Sequence, residues 1–544
     1  MLRPEDVPHR FNVASHFVDG NLDAGRGDRP ALITAGGATT YAELAELVNR
    51  AGNALLELGV RRGDRVLLAL SDGVEFVATW YAAQKIGAVT AEVYTYLPVK
   101  DYAYFLRYTG ARVVVVDQVT MDPVRQAAEA ADATDAVDAT EATDATEATD
   151  AATAPGGPRT LVVVGDADAE KLRPGEHSFG ALVSCASPHL DAAPTTGDDV
   201  AIWKFTTGST GAPKACVHPA RSPLLSFDWY ARGVLDISGD DVVLPVPKLF
   251  FGYARDLAAL FPFGVGGAGV VFPERSTPER IFELIERHRP TILVNVPTMM
   301  SAMLAHPAAA TADLSSLRLC TSAGEALPME LARRWHDTFG VDVVDGIGSS
   351  EAYHIYISTR PGAARRPGSV GQVVPGYTAR VVGEDGTPLP DGSVGLLEVS
   401  GDTVALEYHG APQKSAATFV GDRTVRSGDL FERDADGFFY YRGRADDLLK
   451  VGGVWVAPSE IEHCLIAHPD VLECAVVGHT VEGLVRPRAY VVLRHGASVT
   501  ASDLQELARA QLSPHKYPRD VRFVAALPRT ANGKLDRRTL RDLA

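Results

Sequence analysis

The sequence lacks the features that mark membrane, secreted and zinc-binding proteins. No segment approaches the roughly 18 unbroken apolar residues of a membrane helix, and residues 1–6 are not the apolar start of a signal peptide. The five cysteines are widely separated and include no C-x-x-C pair, which argues against a disulfide framework or a zinc site. We therefore expect a cytoplasmic protein without membrane spans.

Basic residues are missing from one long acidic tract. Eight carboxylates recur at every third position from Glu129 to Asp150 and account for about half of the net charge of −17. A period of three fits neither a helical stripe nor a strand, and the tract has no large apolar residue to bury. We predict that residues 127–158 are a solvated, disordered insertion. The acidic balance also argues against nucleic acid as a partner.

The chain is too long for one hydrophobic core, since its 544 residues exceed the usual size of a single domain. Continuous apolar runs at 66–70, 112–117 and 160–164 alternate with helical patterns, which is typical of parallel sheets covered on both faces. Between about 370 and 442 the pattern becomes β-rich, and the last hundred residues mix short helices and strands. These patterns predict an α/β protein with a small α+β domain at its end.

Residues 206–214 form the most informative segment, with the sequence TTGSTGAPK after a strand-like stretch at 200–205. Small residues let backbone N–H groups converge on an anion, hydroxyls add donors, and Lys214 adds a positive charge. The glycine spacing and Pro213 exclude a Walker P-loop. The segment predicts a site for a polyphosphate. Its candidate ligands are Thr206, Thr207, Gly208, Ser209, Thr210, Gly211 and Lys214.

Four further segments follow in order. They are TSAGEALP at 321–328, DGIGSSE at 345–351, SGDL at 427–430 with YRGRADDLLKVGG at 441–453, and PRTANGKL at 528–535. Each alone is an ordinary turn. The first two follow apolar runs, and ligands of open α/β sheets bind at the ends of strands.

Together with the phosphate loop, these segments resemble the adenylate-forming superfamily of acyl-CoA synthetases, peptide adenylation domains and luciferases. The resemblance spans nearly the whole chain apart from the acidic insertion. It implies an enzyme that joins a carboxylate to the α-phosphate of ATP, releases pyrophosphate and passes the acyl group to a thiol. It also implies a large N-terminal domain (1–445) of two α/β layers plus a distorted β-barrel, and a small mobile α+β domain (446–544).

The resemblance assigns three catalytic residues. Lys534 would bridge the carboxylate and the α-phosphate, where negative charge concentrates during adenylation. Lys214 and its loop would hold the β- and γ-phosphates, and Glu351 would bind Mg²⁺. Relatives usually have glycine where this chain has Ala215.

Further residues follow from the same resemblance. Asp446 matches the hinge about which the C-terminal domain turns, so that one site serves two half-reactions. Gly452 and Gly453 would leave room in the tunnel for the thiol of CoA. The remaining ATP contacts would be Gly324, Glu325, Asp345, Gly346 and Ser350 beside the nucleotide, with Asp429 and Arg444 at the ribose.

Segments 248–253, 345–355 and 450–458 resemble benzoate–CoA ligase and its relatives. By that resemblance the acyl pocket is lined by Gly252, Tyr253, Gly348, His354 and Ile355. A packed tyrosine and a packed histidine remain the alternatives at 253 and 354.

Two departures from the benzoate ligase pattern bear on the substrate. Benzoate ligases usually have alanine where this chain has Gly252, which implies more room beside the ring. Arg255 and Asp256 are also unlike the pattern, and they are either a structural ion pair or a contact to a polar substituent. We therefore expect a hydroxy- or amino-substituted benzoate.

Other readings of the chain stay open. In a second reading the acyl group passes to a carrier protein instead of CoA, or the adenylate serves another use, such as activation of nitrite to diazotise an aromatic amine. A non-catalytic binding protein with the same fold is the third reading, and the presence of Lys534, Asp429, Glu351 and Lys214 counts against it. The sequence does not predict an oligomeric state.

Overall fold

The computed structural model describes residues 1–141, 159–165, 172–206, 212–363, 366–451, 454–481, 484–494, 496–514, 516–529 and 535–543, with the backbone only at 132–141 and 454–455. Across these residues, no helix has both the length and the apolar character needed to cross a membrane.

The strands of the described residues are β1 (Pro30–Thr34), β2 (Gly37–Thr40), β3 (Arg65–Ala69), β4 (Val89–Glu92), β5 (Val113–Val116), β6 (Thr160–Val163), β7 (Glu176–Ser178), β8 (Val200–Thr206), β9 (Lys214–Pro219), β10 (Val242–Pro245), β11 (Ala268–Val270), β12 (Ile292–Asn295), β13 (Leu319–Ser322), β14 (Val343–Gly348), β15 (Ile355–Ser358), β16 (Gln372–Val373), β17 (Thr378–Val382), β18 (Val394–Ser400), β19 (Phe419–Gly421), β20 (Thr424–Arg433), β21 (Phe439–Arg444), β22 (Leu449–Val451), β23 (Val454–Val456), β24 (Val471–Val481), β25 (Leu484–Leu493) and β26 (Asp520–Phe523).

The α-helices of the same residues are α1 (Gly20–Asp23), α2 (Tyr41–Glu57), α3 (Val74–Lys85), α4 (Val99–Thr109), α5 (Met121–Glu141), α6 (Phe179–Cys185), α7 (Arg221–Ser226), α8 (Gly252–Ala259), α9 (Pro278–His288), α10 (Pro297–Ala305), α11 (Met329–Phe339), α12 (Pro412–Thr418), α13 (Pro458–Ile466), α14 (Ala501–Gln511) and α15 (Arg537–Asp542).

Two large, mainly parallel sheets carry the first 373 residues. The order of one is β16-β15-β14-β13-β12-β10-β11-β1-β2, with β2, β15 and β16 antiparallel to their neighbours. The order of the other is β7-β6-β5-β3-β4-β8-β9, with β9 antiparallel to β8. A shared core of buried side chains includes Val66 of β3, Val294 of β12 and Trp80 of α3. The continuous apolar runs are therefore strands covered on both faces, as the sequence predicted.

Helix α2 illustrates how local sequence sets an element. Thr40 accepts a hydrogen bond from the backbone N–H of Glu43, whose carboxylate accepts one from the N–H of Thr40 in return, so the helix begins with a capping box. Leu44, Val48 and Leu55 follow at helical spacing and are all buried. Their burial places this face of α2 in the core.

An antiparallel sheet and a separate C-terminal core complete the chain. The antiparallel sheet runs β17-β18-β20-β19, with β21 also paired to β20. After Arg444 come the hairpin β22-β23 and the sheet β24-β25-β26, whose core includes Leu449, Ile461, Val476 and Leu504. This core contains only residues beyond 444, although the boundary at 445/446 stays a prediction.

The acidic tract corrects one expectation. Residues 127–141 belong to α5 and are helical, whereas we expected disorder throughout 127–158. Alanine is the best helix former, and Ala127 and Ala131 are fully buried one turn apart. Residues 142–158 lie outside the described part of the chain.

Candidate functional site

The predicted phosphate loop connects two antiparallel strands. Thr206 ends β8 and pairs with Lys214, the first residue of β9. Residues 207–211, which include five of the predicted phosphate ligands, lie outside the described residues. Ser350 lies at the base of the loop, where its hydroxyl donates to the carbonyl of Phe205 at 3.4 Å. Lys214 and Ser350 therefore flank the segment expected to hold phosphate.

Tyr408 links two of the predicted catalytic residues. Its hydroxyl donates to Oε1 of Glu351 at 2.7 Å, and the ammonium of Lys214 lies 4.0 Å from the centre of its ring. Burial and the Glu351 carboxylate raise the pKa of Tyr408, which keeps it a neutral donor. Burial and the nearby Lys414 lower the pKa of Lys214, whereas Glu351 opposes that shift. The ammonium of Lys214 and the carboxylate of Glu351 thus both contact Tyr408 beside the phosphate loop.

Two tyrosines of α4 hold the return strand of the loop. The hydroxyl of Tyr104 donates to the carbonyl of Pro213 at 2.5 Å, and the N–H of Ala215 donates to the hydroxyl of Tyr108 at 3.1 Å. The two rings stack with centroids 5.4 Å apart, as side chains four residues apart on a helix can do. The backbone on both sides of Lys214 is therefore fixed to α4.

The predicted nucleotide contacts meet at neighbouring strands. Ser322 pairs with Asp345 in the parallel β13–β14 ladder, so the loop carrying Gly324 and Glu325 lies beside Asp345 and Gly346. We expected 345–348 to be a loop, but these residues continue β14 and pair with β15. The carboxylate of Glu325 caps α10 by accepting from the N–H and hydroxyl of Thr298 at 3.1 and 2.6 Å.

The predicted ribose contacts also lie together. Asp429 and Arg444 are cross-strand partners on β20 and β21, with 3.5 Å between Nη1 and Oδ1. Arg444 further contacts Asp446 through Nε at 3.1 Å, so the predicted hinge residue is tied to the ribose pair. Burial raises the pKa of Tyr356, and the nearby carboxylates of Asp429 and Glu351 raise it further.

The predicted acyl pocket has an aromatic wall. Gly348 pairs with Ile355 across β14 and β15, and a side chain at Gly348 would meet the carbonyl of His354 at 2.5 Å. The ring of His354 lies 5.3, 5.9 and 4.9 Å from the rings of Tyr230, Tyr253 and Phe261. Tyr253 is also hydrogen-bonded to Thr321 at 2.6 Å.

His354 is buried and neutral. Burial lowers the pKa of His354 to about 3, although Asp256 and the carbonyl of Tyr253 favour the charged ring. Among the described residues, neither ring nitrogen makes a hydrogen bond of good geometry. Buried polar atoms are usually paired, so this ring is a marked feature of the pocket.

The space expected beside Gly252 is filled by Lys204. A side chain on Gly252 would lie 2.6 Å from Nζ of Lys204, so our expectation of extra room beside the ring is wrong. The guanidinium of Arg255 is buried between Glu92 at 2.6 Å and Asp256 at 2.7 Å. The structural ion pair is therefore the correct alternative for Arg255 and Asp256.

The C-terminal residues reach the nucleotide side of the site. Nη1 of Arg529 lies 3.9 Å from Oε1 of Glu325, and Nη2 lies 2.8 Å from Glu473. Arg529 and Leu535 form a bridge on either side of 530–534. Lys534, Gly452 and Gly453 lie outside the described residues, and their predicted roles stay predictions.

The residues fit a magnesium ion that arrives with a phosphate ligand. Within the described ranges, no group of three or more His, Cys, Asp and Glu side chains could hold a metal ion by itself. Mg²⁺ bound with nucleotides usually takes one or two carboxylates, phosphate oxygens and water. Glu351 supplies such an oxygen donor beside Lys214.

Sequence reasoning missed Lys204, Tyr408, Tyr104 and Tyr108. Lys204 could have been found from the sequence, because it is the one charged residue in the otherwise apolar strand 200–205. The tyrosines had no such signal, since their partners are distant in sequence and only the tertiary fold brings them together.

Comparison with known proteins identifies the family. The model of the AMP-binding enzyme family matches residues 22–409, and that of the AMP-binding enzyme C-terminal domain matches 460–534. Benzoate–CoA ligase of Thauera aromatica is 41% identical over 98% of this chain and 96% of its own length. The 4-hydroxybenzoate–CoA/benzoate–CoA ligase of Rhodopseudomonas palustris is 36% identical over 98% of this chain and 94% of its own.

A solved structure of the anthranilate CoA ligase AuaEII in complex with anthranoyl-AMP superposes with a TM-score of 0.89 at 34% identity, covering 100% of this chain and 99% of that one. The predicted fold class and superfamily are confirmed. The chain belongs to the family of AMP-binding enzymes.

Proposed function

We propose that this protein is an ATP-dependent aryl acid–CoA ligase. It activates an aromatic carboxylate to an acyl-adenylate with release of pyrophosphate, and it then transfers the acyl group to CoA with release of AMP. The observation that carries the proposal is the turn between β14 and β15. Glu351 on that turn points to the Lys214 side of the site, and His354 three residues later lies among aromatic rings.

The site residues divide this work. Lys214 offsets charge on the departing pyrophosphate, and Glu351 is the proposed ligand of Mg²⁺, which supplies charge neutralisation to the phosphates when bound. Asp429 and Arg444 orient the ribose. Tyr253 and His354 bound a flat pocket suited to an aryl ring.

The names of the relatives support a benzoate as the acid. Benzoate and hydroxybenzoates appear in the names of the ligases from Thauera and Rhodopseudomonas, and anthranilate in that of AuaEII. Polar His354 in the pocket favours a hydroxy- or amino-substituted ring over plain benzoate. None of the five cysteines forms a disulfide, which supports our expectation of a cytoplasmic location.

The test is an assay of the purified enzyme with ATP, Mg²⁺ and a panel of aryl and aliphatic acids, with and without CoA. Mass spectrometry should find AMP and an acyl-CoA for a substituted benzoate. Adenylate formation without acyl-CoA would instead support a carrier protein as acceptor. A preference for hexanoate, or no AMP with any aryl acid, would contradict the proposal.

A further inference from the structure

A buried cluster of four charged side chains lies behind the predicted acyl pocket. It consists of Lys204, Asp256, Arg255 and Glu92, and each side chain is at most 6% exposed. Two cations and two carboxylates balance one another, as buried charges require. The cluster joins β8, α8 and β4.

Within this charged cluster, Arg255 is held between two carboxylates. Its Nε and Nη2 atoms donate to Oδ1 of Asp256 at 3.0 and 2.7 Å, and Nη1 donates to Glu92 at 2.6 Å. The guanidinium carbon lies 4.9 Å from the ring centre of Trp80. Arg255 thus holds Asp256 in place.

Lys204 occupies a different position in the cluster. Its ammonium donates to Oδ2 of Asp256 at 2.8 Å and to the carbonyl of Tyr353 at 2.7 Å, and it lies 3.4 Å from the centre of the Tyr353 ring. An ammonium has three N–H donors. Two of these donors have oxygen acceptors among the described residues, and the third has the face of the Tyr353 ring, which is a weaker acceptor than an oxygen of a ligand.

Gly252, a predicted residue of the acyl pocket, lies directly against this ammonium. A Cβ atom at Gly252 would lie 2.6 Å from Nζ and 2.8 Å from Cε of Lys204. Where benzoate ligases usually carry an alanine methyl, this chain therefore carries a buried cation. The end of the Lys204 side chain, a hydrogen-bond donor, thus stands where we expected empty space beside Gly252.

We propose that Lys204 determines substrate specificity by donating a hydrogen bond to an oxygen substituent on the ring of the acid, at the edge that faces Gly252. This inference rests on the proposed function and narrows its substrate class. A phenolic hydroxyl accepts such a bond. The nitrogen of an aryl amine is a poor acceptor because its lone pair is delocalised into the ring, so hydroxybenzoates are preferred over aminobenzoates.

The ring of His354 also supports this assignment. A neutral imidazole has one donor and one acceptor, and neither is satisfied by good geometry among the described side chains and backbone. After burial, the largest influences on the pKa of His354 are the charges of Asp256 and Lys204. The ring therefore lies in the electrostatic field of the charged cluster. A hydroxyl group both donates and accepts, whereas plain benzoate leaves these buried polar groups unpaired.

The test compares kcat/KM for benzoate, the three hydroxybenzoates and the three aminobenzoates in the wild type and in Lys204→Met. The wild type should prefer one hydroxybenzoate over benzoate and over the matching aminobenzoate. Sites that bond a substrate hydroxyl reject the analogue that lacks it. Two protein acceptors hold the Lys204 ammonium even when benzoate is bound, which limits this discrimination. We therefore expect Lys204→Met to lower the hydroxybenzoate-to-benzoate ratio of kcat/KM by about 10–100-fold.

Lys248→Met is the matched control. Lys248 is partly buried, donates to the carbonyl of Phe272 at 2.9 Å, lies 3.4 Å from the centre of the Phe272 ring, and faces the carboxylate of Asp72. A loss of stability from an unpaired buried carboxylate should affect all acids equally. Lys248→Met should therefore leave the ratio unchanged.

Gly252→Ala provides a second variant in case Lys204→Met does not fold. Its methyl group displaces the end of the Lys204 side chain, so the same ratio should fall. A ratio unchanged in the variants, or a wild type that prefers benzoate or an aminobenzoate, would overturn the assignment of Lys204 while leaving the ligase activity intact. Absence of AMP release with every aryl acid would overturn the proposed function and this inference with it.

Discussion

Tyr408 allows the two charged residues beside the phosphate loop to be separated experimentally. Tyr408→Phe removes the hydrogen bond to Glu351 and keeps the ring under Lys214, whereas Tyr408→Ala removes both contacts. A hydrogen bond to a charged group contributes about 1.5–3 kcal/mol, so Tyr408→Phe should lower kcat/KM for ATP by at least about tenfold.

Pyrophosphate release at varied ATP and Mg²⁺ is the measurement for Tyr408. The Phe variant should require more Mg²⁺, because the oriented carboxylate is the proposed metal ligand. Tyr408→Ala should lose more activity than Tyr408→Phe at saturating Mg²⁺. Equal losses in both variants would show that the hydrogen bond alone matters.

His354 should make the stability of the protein sensitive to acid. Its pKa is lowered to about 3 by burial, so between pH 6.5 and 3 the unfolded chain binds a proton that the folded chain does not. The contribution of His354 to stability is therefore fully present above about pH 6.5 and is lost as the pH decreases, with a slope approaching about 1.4 kcal/mol per pH unit. His354→Phe should flatten this slope.

The measurement for His354 is urea unfolding at several pH values between 7 and 5. His189→Gln is the control, because that side chain is exposed. The wild type and His354→Phe share every other titrating group, so the difference between their slopes belongs to His354. A slope unchanged in His354→Phe would contradict the assignment of a buried neutral ring.

At the scale of elements, α4 is expected to hold the phosphate loop in position. Tyr104→Phe and Tyr108→Phe each remove hydrogen bonds to the backbone beside Lys214. A neutral hydrogen bond contributes about 1 kcal/mol, so each change should lower kcat/KM for ATP by about fivefold. Steady-state kinetics with ATP varied at saturating acid checks this.

Tyr102 on the same helix supplies the control for these variants. Its hydroxyl donates to the carbonyl of Tyr94 at 2.9 Å, away from the phosphate loop. Tyr102→Phe should lower stability by a similar amount without raising KM for ATP. If all three variants change the kinetics alike, α4 acts through general stability and not through the loop.

At the scale of the whole molecule, the two half-reactions are expected to depend on different parts of the chain. Arg529 contacts Glu325 across the predicted domain boundary, and the segment with Lys534 follows directly. A bridging cation helps only the step in which the carboxylate meets the α-phosphate. Lys534→Ala should therefore lower adenylation by at least about 100-fold and leave thioester formation from supplied acyl-adenylate largely intact.

Two separate assays test Lys534, one of pyrophosphate release and one of acyl-CoA formed from a synthetic adenylate. Lys516→Ala is the control, because Lys516 pairs with Glu460 in the same region of the chain. It should change neither half-reaction appreciably. A parallel loss of both half-reactions in a folded Lys534→Ala protein would contradict the assigned role.

The fold class, the family and the order of the ligand-binding segments could be predicted from the sequence alone. These follow from local properties: apolar runs become buried strands, and loops rich in glycine and hydroxyls at strand ends suit phosphate. Glu351, Asp429 and Arg444 could be named from their motifs because each motif lies within a few residues of one turn.

The tertiary structure decided what fills the pocket and which residues support the motifs. Lys204, Gly252, Asp256 and Tyr353 come from three separate segments, so no local pattern could show that an ammonium takes the place of the expected space. Tyr408 reaches Glu351 across 57 residues for the same reason. The helix at 127–141 was missed because the acidic residues recur at every third position, which is not a helical period. The alanines that α5 buries are four residues apart. The chemistry of a motif depends on neighbouring residues, whereas packing depends on distances that only the folded chain sets.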